Sequence, residues 1–294
     1  MTPPREMLPY ADPRVAGRTH GALEMRFEVA CDGRNILSHL SRRAPTIVQQ
    51  ALYFDPLWPE LPCVYVLSAG GPNLGSDRYR QQIELRAGAC AHISTGAATK
   101  IAEMPADYSL LTTHLRLADN AYAEWLPEPT ILCRHARLCS TTHIDISPTA
   151  TLFLSEIYMA GRKHRGELWE FDILSARTTA SRPDGQPLMV DHLLVEPAND
   201  DVRRVGVMHR YDVWACVMIL TPPSAANRIY ECVESRFEPD GVAVGLSHLP
   251  CEAGLVARIA GRESAEVKRV VRQLCGVVRR EVRGCDMPDE FPWR

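Results

Sequence analysis

The feature that most constrains this chain is a recurring unit of apolar strand, short polar turn and apolar strand. Gln81–Leu85 passes through Arg86-Ala87-Gly88 into Ala89–Ser94. Leu110–Leu117 passes through Ala118-Asp119-Asn120 into Ala121–Leu126, and His143–Ile146 through Ser147-Pro148-Thr149-Ala150 into Thr151–Tyr158. Alternating apolar residues bounded by Gly, Pro, Asn and Ser mark strands and the turns between them. Further strands are expected at Leu23–Val29, Cys63–Leu67, Leu168–Arg177, Pro187–Leu194 and Trp214–Leu220, with another over Ser41–Tyr53 broken by Pro45. The pattern predicts a mainly β chain: short antiparallel or stacked strands in a sandwich or a β-solenoid-like body.

One clear helix is expected. Val267, Val270, Val271, Leu274, Val277 and Val278 fall on a single stripe, which predicts an amphipathic helix over 264–283. Ser264 is its expected N-cap and Gly284 its C′ residue, with Pro288 beyond. Lys268, Arg269, Arg272, Arg279, Arg280 and Arg283 read as a solvated basic face. Residues 1–18, rich in proline and charge, read as a loose lead-in, and no linker divides the rest, so 1–294 is expected to be a single domain.

A net charge of −3 argues against non-specific binding to nucleic acid or anionic membranes. Neither a signal peptide nor an apolar run near the roughly 20 residues of a membrane span is visible, and a cytoplasmic location is expected. The ten cysteines include no C-x-x-C pair and are expected to be free, mostly buried thiols.

Candidate chemistry is sparse. Gly70–Asp77 has the glycines of a phosphate loop, but it lacks the terminal Gly-Lys-Ser/Thr and leads into a strand, so it reads as a structural turn. Cys133, His135, Cys139 and His143 are ligand types suited to zinc or nickel, at a spacing that matches no closed zinc site. Glu156 sits in an apolar strand and needs a partner if buried. Arg162 is the expected one, Glu167 lies nearby, and the alternative is a carboxylate-lined cavity passing a metal ion. No nucleophile elbow, H-E-x-x-H or dinucleotide fingerprint is present. Glu124-Trp125-Leu126-Pro127-Glu128-Pro129 cannot lie inside a helix and reads as a rigid extended connection. Such a segment loses little entropy on docking, which makes Trp125, Glu124 and Glu128 candidate partner-binding residues.

The same segment resembles the W-L-P-x-E-T-I-x-F block of the urease accessory protein UreD family, called UreH in some bacteria. The resemblance continues in order through Ala44-Pro45 with Gln49; Gly70-Gly71 with Gly75 and Asp77; Gly96-Ala97-Ala98-Thr99-Lys100; Thr130-Ile131; Ala136-Arg137-Leu138; Glu156 with Gly161-Arg162; Gly166-Glu167; and Pro292-Trp293. The chain departs from the family's pattern at Glu128-Pro129, Ser94-Thr95, Ala102 and Cys133-Arg134-His135, so the Cys/His cluster is not part of the likeness. The resemblance implies a scaffold chaperone and not an enzyme. Its implied partners are UreF, the GTPase UreG and the urease apoprotein, with no cofactor held tightly and nickel in transit along an internal route. It adds Lys100 and Asp77 to the partner-binding candidates. Two other readings follow from the residues: a metal-dependent enzyme built on the Cys/His cluster, and an interaction module with no part in metal transfer.

Overall fold

The computed structural model describes residues 3–12, 14, 19–233 and 241–288. From Asp77 onward the chain winds back and forth between two sheets. β5 (Asp77–Leu85), β8 (Ser109–Leu117), β11 (Arg137–Ile146) and β13 (Ile173–Ser181) stack side by side in the first. β6 (Cys90–Thr95), β9 (Tyr122–Leu126) and β12 (Thr151–Met159) stack in the second, beside β4 (Cys63–Ser68). These neighbours are parallel, so the body is a β-solenoid-like sandwich and not a set of antiparallel hairpins. The strand–turn–strand units do not fold back on themselves because each short turn carries the chain across to the other sheet.

Antiparallel pairing is confined to the ends of the stack. β1 (Thr19–Val29) pairs parallel with β5 but antiparallel with β2 (Asn35–Arg43), and β14 (Pro187–Val195) closes the far edge of the first sheet. In the second sheet, β3 (Thr46–Ile47) lies at one edge. β15 (Val213–Leu220), β17 (Gly254–Gly261) and β16 (Ala243–His248) extend the other. Two short strands, β7 (Thr99–Ile101) and β10 (Thr130–Leu132), form a side wall that joins β12.

Parallel stacking without offset places like residues over one another, which gives rows that run across the strands. Met25, Ile83, Leu115, Ile144, Ala180 and Met189 are successive register partners, and all are buried in the core between the sheets. The second sheet is covered on both faces. Its other side packs beneath α2 (Ser264–Arg283) and α1 (Pro223–Cys232), burying Val267, Val270, Val271, Leu274 and Val278 against Phe153, Val217 and Ile259. Burial on both faces explains why β15 reads as an unbroken apolar run, with all eight residues buried.

α2 spans the expected residues and ends on Gly284 in the left-handed region (φ 68°), where glycine carries no steric penalty. Its N-terminus differs from expectation. Ser264 is the first helical residue and Glu263 holds the cap position, without a side-chain capping bond. The basic face differs too, because Arg279 is fully buried. α1, β16 and β17 were not anticipated, and β2 lies upstream of the strand expected over Ser41–Tyr53. Part of the lead-in is docked: a 3₁₀ turn at Arg5–Met7 buries Met7 against Tyr108, Leu110 and Ile173, and Glu6 accepts a hydrogen bond from Ser175 (2.7 Å). Residues 1–2, 13 and 15–18 of that segment, and Pro292-Trp293, lie outside the described residues. All ten cysteines are free, six of them buried.

Candidate functional site: a polar cavity between the sheets

The apolar rows between the sheets are interrupted once. Gln81, Thr113, Thr142, Thr178 and Asp191 are successive register partners across five strands of the first sheet. Opposite them, Glu156, Cys216 and Arg258 are register partners in the second. One apolar block lies on one side of this polar layer; on the other lies a second, built from Ile101, Leu138, Tyr158, Leu174 and Trp214. Stacked coils repeat the residue type at each height, so a polar height propagates as a polar layer through the body.

Within the layer is a cavity of about 80 Å³, lined by Gln81, Thr95, Thr113, Trp125, Glu128, Ser140, Thr142, Glu156 and Tyr158, among others. Gln81 Oε1 is buried with no hydrogen-bond partner within the protein. A cavity of that size with several hydroxyls and carboxylates has room and partners for a few water molecules.

Glu156 is the cavity's ionisable centre. Burial pushes its carboxyl up to about 7, and the Asp191 carboxylate adds to the shift; hydrogen bonds with Tyr158 and Thr142 and the Arg258 guanidinium oppose it. The predicted Glu156–Arg162 pair does not form. Arg162 instead pairs with Glu167, its Nε 2.7 Å from Oε2. Gly161 (φ 149°), just before Arg162, lies against the Glu167 carbonyl, which a Cβ there would strike. At the edge of the layer, Arg258 of β17 is ion-paired to Asp191 of β14, which ties the two sheets together.

The side wall of the cavity is one strand thick. Thr99, Thr130 and Tyr158 are register partners whose side chains line the cavity. Their neighbours Lys100, Ile131 and Met159, also in register, line an open cleft of about 690 Å³ on the other side. Arg162, Lys163 and Arg165 line the same cleft, as does Cys133. The blocks Thr99-Lys100, Thr130-Ile131, Glu156 and Gly161-Arg162, distant in sequence, therefore meet on two sides of one wall.

The other partner-binding candidates fare differently. Glu124 has no exposure and cannot touch a partner. Its carboxylate accepts four hydrogen bonds: Arg279 Nε (2.5 Å) and Tyr122 Oη (2.8 Å) on Oε1, Arg279 Nη2 (2.8 Å) and His92 Nδ1 (2.7 Å) on Oε2. Arg279 also donates to Asp55 (2.6 Å). Burial alone would raise the Glu124 carboxyl, but the Arg279 charge and these bonds hold it well below the usual range. Burial lowers His92, leaving its imidazole neutral despite the adjacent carboxylate. Trp125 faces the opposite way and is buried in the inter-sheet core beside the cavity. Asp77 is buried and accepts from the Leu74 N–H (2.8 Å), so it caps the glycine turn. Glu128 is bound at both oxygens by Lys268 of α2 (2.8 Å each). Lys100 alone of the five is exposed.

The Cys/His cluster is dispersed. Cys139 is buried under the N-terminal turn, Cys133 lies at the wall, and His135 pairs with Asp172 on the surface (3.0 Å). His143 lies on the outer face of the first sheet. Among the described residues no group of three His, Cys, Asp or Glu side chains is placed to hold a metal. Nor is any described helix long and apolar enough to cross a membrane.

These features define a class: a β-solenoid-like scaffold with a polar interior layer. A profile of the UreD urease accessory protein family matches residues 19–294. Urease accessory protein UreD 2 of Brucella ovis is 41% identical over 263 residues, covering 88% of this chain and 87% of its own. Urease accessory protein UreD of Yersinia pseudotuberculosis is 39% identical over 277 residues, covering 93% and 86%. The chain belongs to the UreD family of urease accessory proteins, so its role lies in urease maturation and it is not an enzyme.

Proposed function

We propose that this chain is a single-domain cytoplasmic scaffold that binds apo-urease together with UreF and UreG and passes nickel toward the urease active site through its polar interior layer. GTP hydrolysis belongs to UreG. Nickel is cargo in this reading, held only in transit.

The observation that supports it is the cavity around Glu156. A carboxyl poised near 7 gives up its proton readily around neutral pH and so offers an anionic oxygen to a divalent cation, while its hydroxyl neighbours are weak oxygen ligands that do not trap the ion. Passage through an enclosed polar layer avoids releasing the ion into bulk water. The exposed Lys100 and the basic cleft outside the wall suit contact with an acidic partner surface.

The test is co-expression with UreF, UreG and apo-urease. Pull-down on this chain is expected to recover all three partners, and urease nickel content is expected to collapse when the chain is omitted. Glu156→Leu should retain the partners while lowering nickel content. Unchanged nickel in the absence of the chain would reject the role. Full nickel loading with Glu156→Leu would reject the route and leave an interaction scaffold.

A further inference from the structure

Two histidines lie together on the outer face of the first sheet, on the side away from the cavity. His114 of β8 and His143 of β11 are register partners on adjacent parallel strands, and their ring centroids are 4.7 Å apart at 42°. That separation is set by the sheet, whose strands are spaced by about 4.8 Å, and so it is built into the ladder and not adopted by two free side chains. His143 Nδ1 lies 3.0 Å from the hydroxyl of Thr179, its own register partner on β13. When Nδ1–H donates to that hydroxyl, the tautomer is fixed and the lone pair is left on Nε2. This is the second-shell arrangement that orients a ligating imidazole.

Beside the pair runs a shallow groove of about 190 Å³, lined by His114, Gln82 and the carboxylates of Glu24 and Glu84, whose formal charge Arg26 and Arg116 balance.

We propose that His114 and His143 form a surface site for one divalent ion of the borderline class, such as nickel, copper or zinc, with water completing the coordination. Two imidazoles at strand spacing match the ligand preference of these ions, while magnesium and calcium prefer oxygen. The site is shallow and two-coordinate from the protein, so binding is reversible. It does not depend on the interior route.

Equilibrium dialysis of the full chain against Ni²⁺ alone, at neutral pH, tests the site. One equivalent of nickel is expected to disappear in His114→Ala and in His143→Ala. Thr179→Val should bind that equivalent about tenfold more weakly, because it loses the orienting bond. His39→Ala, which alters the same groove but not the pair, should retain it. Proton NMR gives a second readout: nickel should broaden the His114 and His143 ring signals first. If the double variant His114→Ala/His143→Ala binds as much nickel as the unmodified chain, or if broadening begins at other histidines, the proposal is overturned. These side chains lie on a solvent-facing sheet surface, so circular dichroism is expected to show each variant folded.

Discussion

Glu124 and Glu156 sit in neighbouring strands of one sheet, and their surroundings give them opposite character. Glu124 faces the helices and meets Arg279, which supplies two hydrogen bonds and a full charge. Glu156 faces the other sheet and has hydroxyl neighbours, with Arg258 committed to Asp191 at the edge of the layer. One carboxyl is held ionised by a paired cation. The other is pushed toward its neutral form by burial that no such cation offsets. A buried charge contributes to stability only as part of a satisfied set; without one, its pKa moves instead. The first site joins helix to sheet, and the second keeps an ionisable group ready to exchange a proton.

The largest test of this contrast removes the cation from the satisfied set. Arg279→Met should destabilise the fold by about 3–5 kcal/mol, measured by urea unfolding, because Glu124 and Asp55 are left buried and unpaired. Adding Glu124→Gln should recover part of that loss. A cost for Arg279→Met no greater than that of an exposed substitution would contradict the assignment.

Next in size is Glu156→Gln, which mimics the protonated state. The folded carboxyl titrates near 7 against an ordinary value of 4.5, so the native state binds the proton more tightly than the unfolded chain. Its favourable contribution is complete below about pH 4.5 and is lost as pH rises to about 7. The variant should therefore match the parent at pH near 4 and exceed it by about 2 kcal/mol above neutrality. Glu124 has the reverse sign. Its depressed pKa contributes stability above 4.5 that is lost as pH falls below it. In Glu156→Gln the acid-side loss should persist while the fall between pH 4.5 and 7 shrinks. Persistence of that fall in the variant would assign it to another group.

The smallest effect is expected at Glu128 and Lys268, which are joined at a partly exposed site. Lys268→Met should cost about 0.2–1 kcal/mol by thermal or urea unfolding. A cost approaching that of Arg279→Met would mean that exposure is a poor guide to the worth of an ion pair in this molecule.

Much of the fold was legible. Strand–turn–strand spacing located β5, β6, β8, β9 and β12 to within a few residues and caught only the last part of β11, which begins at Arg137 and not at His143, and the valine stripe located α2. Their parallel pairing was not legible, since a short polar turn is equally compatible with a hairpin. β17 carries an apolar run, Leu255-Val256-Ala257, flanked by glycines, and was legible in principle. α1 is ten residues long with a proline at its start and only Ala225, Ala226 and Ile229 buried, too short a stripe to stand out. Arg279 did carry a signal. It continues the line Val267, Val271, Cys275 at four-residue steps and so lies on the buried stripe, although its charge assigned it to the solvated face.

The candidate site was legible only in fragments. Glu156 as an acid in an apolar strand, Lys100 after small residues, and Arg162 with Glu167 were each visible. Their gathering about one wall was not, because it depends on Thr99, Thr130 and Tyr158 coming into register from strands far apart in the chain.

The sequence by itself determined that the chain would be β-rich, where most strands and α2 would fall, and that it carries no familiar catalytic motif. Those properties follow from local periodicity and turn chemistry, which act over a few residues. The tertiary structure alone decided which coils stack, and hence which residues share a height between the sheets. It decided that Glu124 meets a cation, that Glu156 does not, and that His114 and His143 stand side by side. Each of these outcomes depends on long-range register, and a shift of one residue would turn every side chain of a strand to the opposite face.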